Sequence, residues 1–206
     1  MNPVIFLLSI FFVFTSNSAN AQKTSAYKST DYNLLVQELN STLKSPWGMA
    51  FLPDKRLLIT EKSGILLIVS ADGKTIQARL ANLPKVASDG QGGLLDVALD
   101  PNFTKNKTIY WSYAEAGIGK EKGLSGTAVA RGKLQNNALQ DIQVIYRQTP
   151  KVKGSGHFGS RLVFLADQTL LVTLGERQKF TPAQDISQSL GKVIRIHSDG
   201  KIPVNN

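Results

Sequence analysis

The chain has 206 residues, 42% of them hydrophobic and 19% charged, with no cysteine and a formal net charge of +9. That composition belongs to a globular protein rather than a disordered one, and it excludes disulfides, a dithiol redox centre and a thiolate metal site. The lysines are spread in pairs (Lys105 and Lys107, Lys120 and Lys122, Lys151 and Lys153). No arginine-rich helix accompanies them, so the charge reads as a solvated basic surface with affinity for anions, and no nucleic-acid partner is expected.

The chain opens on an apolar run, "VIFLLSIFFVF" (4–14), followed by "TSNSANA", in which Ala19-Asn20-Ala21 fits the small-x-small cleavage pattern. The run is shorter than the roughly 20 residues that span a bilayer. Residues 1–21 therefore read as a signal peptide and 22–206 as the mature domain. The protein is expected in the periplasm or secreted, with no stable membrane span after cleavage. An uncleaved anchor is the alternative.

Tyr32–Leu43 fits either a helix or an edge strand. After residue 45 strand signals dominate. "GMAFLP" and "RLLITE" flank Pro53-Asp54-Lys55, and "GILLIVS" runs to Ala71-Asp72-Gly73. "LLDVALD" meets Pro101-Asn102 and is followed by "TIYWSYAEA", "GTAVARGKL" and "DIQVIYRQ". "RLVFLADQTLLVTLGE" is two strands about Asp167-Gln168, a short turn is expected near Ala183–Leu190, and "GKVIRIHSDGK" closes the series. Short apolar or alternating runs punctuated by Gly, Pro, Asp and Asn predict an all-β protein.

These runs resemble one another. "AFLPDKRLLITEKSG" (50–64) parallels "VFLADQTLLVTLGER" (163–177), "VALDPNFTKNKTIYWSY" (97–113) is a third version, and "GILLIVSADGK" (64–74) parallels "GKVIRIHSDGK" (191–201). Repetition at roughly 40–60 residues predicts a β-propeller of four-stranded blades, with a β-sandwich as the alternative. About three blades fit, which is expected to be the first part of a ring. Flanking blades would then have uncovered faces, expected to be built from runs such as "LLDVAL" and "TLLVTL".

"GSGHFGSRLVF" (154–164) contains G-x-G-x-x-G, but neither a strand before it nor a helix after it is signalled, so it does not read as a dinucleotide loop. Gly159-Ser160-Arg161 is not the Gly-Lys-Ser/Thr end of a phosphate loop, and no Gly-x-Ser-x-Gly elbow surrounds Ser155 or Ser160. The glycines instead flank His157, leaving room for a ligand above an imidazole that titrates near neutrality. His157 is either a general base on a loop or a histidine satisfied within one. His197, in "VIRIHSDG", reads as an exposed strand residue.

Four stretches in order, "SPWGMAFLPDKRLLITEKSG", "DGQGGLLDVALDPNF", "GHFGSRLVF" and "GKVIRIHSDGKIP", resemble the quinoprotein glucose/sorbosone dehydrogenases over about residues 35–206. "GTAVARGKL" and the Glu of "LGER" most resemble the periplasmic aldose-sugar branch. The resemblance implies a six-bladed propeller that holds pyrroloquinoline quinone over its channel mouth, an aldose sugar as substrate and an external electron acceptor. It implies that His157, in "H-x-G-x-R-L", takes the proton of the anomeric hydroxyl while hydride passes to the quinone. Glu176 matches the acidic residue that supports this histidine and fixes its tautomer, and Gln91 matches a cofactor contact. Arg161 is either a cofactor contact or a strand residue pairing within the sheet. The family's calcium ligands and cationic cofactor clamp lie in its second half, so no metal ligand is assigned here and this chain alone is expected to be inactive. The alternative is a non-catalytic propeller that binds protein or carbohydrate partners. Cleavage after Ala21 predicts that N-terminal sequencing of the exported protein starts at Gln22; a mature form that keeps Met1 would refute the leader.

Overall fold

Turns marked by Asp, Asn and Gly cut the chain into thirteen strands among residues 23–206, the part that the computed structural model describes. The leader expected over residues 1–21 lies outside the described residues. β1 (Thr24–Lys28) and β2 (Asn33–Gln37) form an antiparallel hairpin of their own. The open choice at Tyr32–Leu43 thus falls to a strand: the apolar run Leu34-Leu35-Val36 is three residues long, too short for the apolar stripe of a helix.

Residues 39–206 form one unit. In it β3 (Pro46–Phe51), β4 (Leu57–Glu61), β5 (Ile65–Val69) and β6 (Ile76–Leu80) make one antiparallel sheet in chain order. β7 (Leu94–Leu99), β8 (Thr108–Ala116), β9 (Ser125–Gln135) and β10 (Ala138–Arg147) make the second. β11 (Gly159–Phe164), β12 (Leu170–Leu174) and β13 (Val193–Ile196) make the third. Each sheet is a meander, and the first strands β3, β7 and β11 lie side by side. This is blade architecture. The repeats found in the sequence occupy matching places: 50–64 and 163–177 span the first hairpins of the first and third blades, and 97–113 lies in that of the second. Residues 64–74 and 191–201 carry the third strands β5 and β13.

Side chains alternate across each strand, so the middle blade feeds two cores. Trp111, Tyr113 and Ile109 of β8 face Leu58, Leu66 and Ile68 of the first blade. Tyr110 of β8 and Val129 of β9 face Leu162, Leu170 and Val172 of the third. This corrects one expectation: "LLDVAL" is buried in the middle blade, not on an uncovered face. On the strands of this unit the exposed large apolar residues are Trp47, Met49 and Phe51 on β3 and Val163 and Val193 in the third blade. They belong to the first and last blades, whose outward faces no other blade of residues 39–206 covers. Two further expectations are corrected. His197 is exposed but lies one residue past β13, where its N–H bonds the Lys201 carbonyl in a tight turn. The short turn expected near 183–190 is a single 3₁₀ turn at Thr181–Gln184, placed by Pro182 near its start.

Every blade carries the same bulge. Between β3 and β4 the register slips from Pro46↔Glu61 to Met49↔Ile59, between β7 and β8 from Leu94↔Tyr113 to Val97↔Trp111, and between β11 and β12 from Gly159↔Leu174 to Leu162↔Val172. The extra residue leaves an N–H without its ladder partner. A hydroxyl takes it each time: Thr60 Oγ1 accepts from Gly48 N (2.8 Å), Ser112 Oγ from Asp96 N (3.0 Å) and Thr173 Oγ1 from Arg161 N (2.9 Å). The same hydroxyls donate onward, Thr60 to the Leu95 carbonyl (2.5 Å) and Ser112 to the Ser160 carbonyl (2.7 Å), each in the bulge of the next blade. Thr60 and Ser112 are fully buried. Thr60→Val, which keeps the shape and removes both hydrogen bonds, is expected to cost about 2 kcal/mol in urea unfolding, and Thr60→Ser far less.

Candidate functional site

His157 stands on the loop between β10 and β11 with a left-handed backbone, φ +49. Few residues tolerate that conformation without outside support, and here the support is visible. Gln91 Oε1 accepts from the His157 N–H at 2.8 Å, and the His157 carbonyl accepts from Arg177 N at 3.2 Å. Gln91 is itself held, its N–H bonding the Ser155 carbonyl at 2.7 Å. The loop from "DGQGG" and the loop from "GSGHFG" are thereby tied together across 66 residues of sequence.

The His157 imidazole meets Glu176, with Nδ1 2.6 Å from Oε1. His157 is 44% exposed in its side chain and Glu176 19%, so the contact sits at the surface with its carboxylate the more sheltered partner. The hydrogen bond from His157 is the main cause that holds the Glu176 carboxyl below the usual carboxylate range, helped by the Gln178 N–H. An ionised Glu176 fixes the proton on Nδ1 and leaves Nε2, which has no partner among the described residues, as the free nitrogen. This is an orienting carboxylate behind an imidazole whose other face is open, a geometry able to abstract a proton.

Two glycines make the approach feasible. A Cβ on Gly175 would lie 1.8 Å from the His157 carbonyl oxygen, and one on Gly159, whose φ is +73, would lie 2.7 Å from Gly175 N. The third sheet's first hairpin therefore closes against the His157 loop by backbone contact. Behind it Thr127 Oγ1 donates to the Phe158 carbonyl at 2.6 Å, and the buried Gln148 side chain links Thr127 N to the Gly175 carbonyl.

Arg161 lies beside the site on β11. Its Nη1 donates to Asp96 Oδ1 at 2.9 Å and its guanidinium stacks over Trp47, 5.0 Å from the ring centroid. Asp96, almost wholly buried, also accepts from Leu162 N at 2.8 Å. The Asp96 contact joins Arg161 to the neighbouring blade rather than to its own sheet, and its side chain remains 57% exposed with Nε and Nη2 unengaged by other described residues. Two residues carry the site without a signal of their own in the sequence. Asp96 sits within an apolar run, and Arg177 directly follows Glu176; a charged residue inside "LLDVAL" was the one sign available for Asp96. Among the described residues no group of three or more His, Asp or Glu side chains converges as a metal ligand set, and no helix is long and apolar enough to cross a membrane.

The family model described as glucose/sorbosone dehydrogenase matches residues 43–206. The chain belongs to that family. It is 41% identical over 174 residues to the aldose sugar dehydrogenase YliI of Escherichia coli (strain K12), covering 83% of this chain and 46% of that protein. The crystal structure of the soluble aldose sugar dehydrogenase from Escherichia coli in its apo form matches with TM-score 0.76 and 40% identity, over 82% of this chain and 48% of that one. The PQQ-bound form of the aldose sugar dehydrogenase from Streptomyces coelicolor matches with TM-score 0.72 and 25% identity, over 90% of this chain and 51% of that one. The chain thus spans about half the length of these relatives, and its blades are those of a sugar-dehydrogenase β-propeller. In this family member the Gly175 contact is expected to be intolerant of change. Gly175→Ala should lower stability by about 2 kcal/mol or more in thermal unfolding, because only backbone can yield. Gly156→Ala, which meets the movable Gln178 side chain, should cost much less.

Proposed function

We propose that this chain supplies the base side of the active site of an exported, quinone-dependent aldose sugar dehydrogenase. The observation that carries the reading is the 2.6 Å contact of His157 Nδ1 with Glu176 Oε1, which leaves Nε2 free at an open loop. The donors present suit a planar quinone that bears carboxylates. Gln91 Nε2 and the unengaged N–H groups of Arg161 have no protein partner, and both side chains are exposed. Gln91 and Arg161 would help to hold pyrroloquinoline quinone, which when bound supplies the hydride acceptor.

The chain's own residues do the proton work. His157 Nε2 takes the proton of the sugar's anomeric hydroxyl. Glu176 keeps the Nδ1 proton in place and offsets the positive charge that the ring acquires. Gln91 holds the backbone of His157 through its carbonyl oxygen while its amide nitrogen faces outward, so one side chain couples the loop's position to the ligand. An electron acceptor outside the chain completes the cycle. Calcium, where this family uses it, would draw its ligands from the second half of the ring. Residues 22–206 alone are proposed to be inactive in sugar oxidation.

His157→Ala, placed in a chain of the relatives' full length, should lower dye-linked sugar oxidation by about 10²–10⁴-fold with quinone binding nearly intact. A loss below about fivefold would make His157 a structural loop residue and favour the reading of a binding propeller. Glu176→Gln should lose less. It removes a negative charge that favours the protonated imidazole, so the acid limb of the pH–rate profile should move to lower pH. An unmoved limb would separate Glu176 from the base.

A further inference from the structure

Among the described residues Arg177 is the one arginine or lysine whose side chain is fully buried. No carboxylate pairs with it. A buried charge without a counter-ion is costly, so it persists only where acceptors take up its donors. Four of its five N–H donors are engaged in this way. Nε donates to the Gly156 carbonyl at 2.7 Å, Nη1 to the Ser125 carbonyl at 2.6 Å, and Nη2 to Ser125 Oγ at 3.1 Å and to the Gly154 carbonyl. The ring of Phe158 lies under the guanidinium at 3.6 Å. Burial pushes the group down to about 10, so it is still ionised at neutral pH.

The acceptors share a place. Gly154, Gly156 and Phe158 surround His157 in the loop, and Ser125 begins β9. The backbone N–H of Arg177 bonds the His157 carbonyl, and its chain neighbour is Glu176. One planar fork therefore joins the loop that carries the imidazole to the hairpin that carries the carboxylate. We propose that Arg177 is a positioning residue, whose guanidinium fork sets the backbone of residues 154–158 so that His157 meets Glu176. The functional weight of this inference rests on the reading of His157 as the base, but the geometric claim does not. Lysine cannot replace the fork, because an ammonium is a point charge and cannot direct donors to several carbonyls in one plane.

The chain holds two histidines, His157 and His197, so acylation by diethyl pyrocarbonate followed by peptide mass mapping reports each separately. The reagent attacks the neutral imidazole. Arg177→Lys keeps the positive charge and removes the fork. Near neutral pH it should raise the acylation rate of His157, measured against His197, by about threefold, because an imidazole parted from the Glu176 carboxylate is less often protonated. Glu176→Gln sets the benchmark, and Arg177→Lys in that background should add nothing further. An unchanged ratio in Arg177→Lys would overturn the proposal, as would a full additional increase in the double variant. If Arg177→Lys unfolds the chain, the His197 rate changes as well, and Ser125→Ala decides instead. It removes one acceptor of the fork and should shift the ratio in the same sense by less; no shift overturns the proposal. The labelling measures placement alone, so it can fail while the turnover test of His157→Ala succeeds, and the reverse.

Discussion

A single hydroxyl in the second strand of each blade, fully buried in the first two, organises much of this structure. Thr60, Ser112 and Thr173 each accept the N–H that a bulge leaves unpaired, and the first two pass a hydrogen bond onward to the bulge of the next blade. An unpaired N–H in a dry sheet interface would cost about 1–3 kcal/mol, so bulge and hydroxyl require each other. The bulge bends the first strand and increases its twist, which re-aims the residues that follow. The relay thus sets the register of each blade against its neighbour with two hydrogen bonds per hydroxyl, where apolar packing alone would tolerate sliding.

The functional loop hangs on this frame. Ser160, whose carbonyl receives the Ser112 hydrogen bond, is two residues past Phe158 and three past His157. Asp96, in the middle bulge, reaches across to Leu162 N and Arg161, so the third blade's first strand is tied to the second blade on both sides of its own bulge. Backbone contact at Gly175 and Gly159 then brings the "LGER" turn onto the loop. The pairing of His157 with Glu176 is the last link of this chain of constraints, and the buried Arg177 fork lies directly behind it.

The placement of charge follows the same logic. Glu176 is sheltered enough to act on the imidazole and exposed enough to stay ionised, its carboxyl lowered chiefly by the hydrogen bond from His157. Arg177 lies under the loop, where backbone carbonyls and an aromatic face take the place of a counter-ion. A carboxylate there would compete with Glu176 for the imidazole, whereas neutral carbonyls leave the His157–Glu176 contact undisturbed.

How much of this was legible in the sequence differs by element. The hairpins were legible, because turn residues such as Asp54, Asp72 and Asp167 and short apolar runs are local signals. The blade repeat was legible as well, since the similarity of 50–64 to 163–177 records the same hairpin. Gly-flanked His157, Gln91 and Glu176 were named from motifs, and the structure brings all three together. The burial of "LLDVAL" was not legible, because an apolar strand reads alike in a middle or a flanking blade until its neighbours are known. Nor were Asp96 and Arg177. A buried carboxylate and a buried guanidinium are identified by acceptors and donors that come from segments 21 to 66 residues away. The sequence by itself determined the strands, their turns and the candidate base, since those depend on neighbours along the chain. Tertiary structure decided which hydroxyls, charges and glycines are indispensable, because an unpaired N–H, an uncompensated charge or a backbone clash exists only once distant strands are in contact.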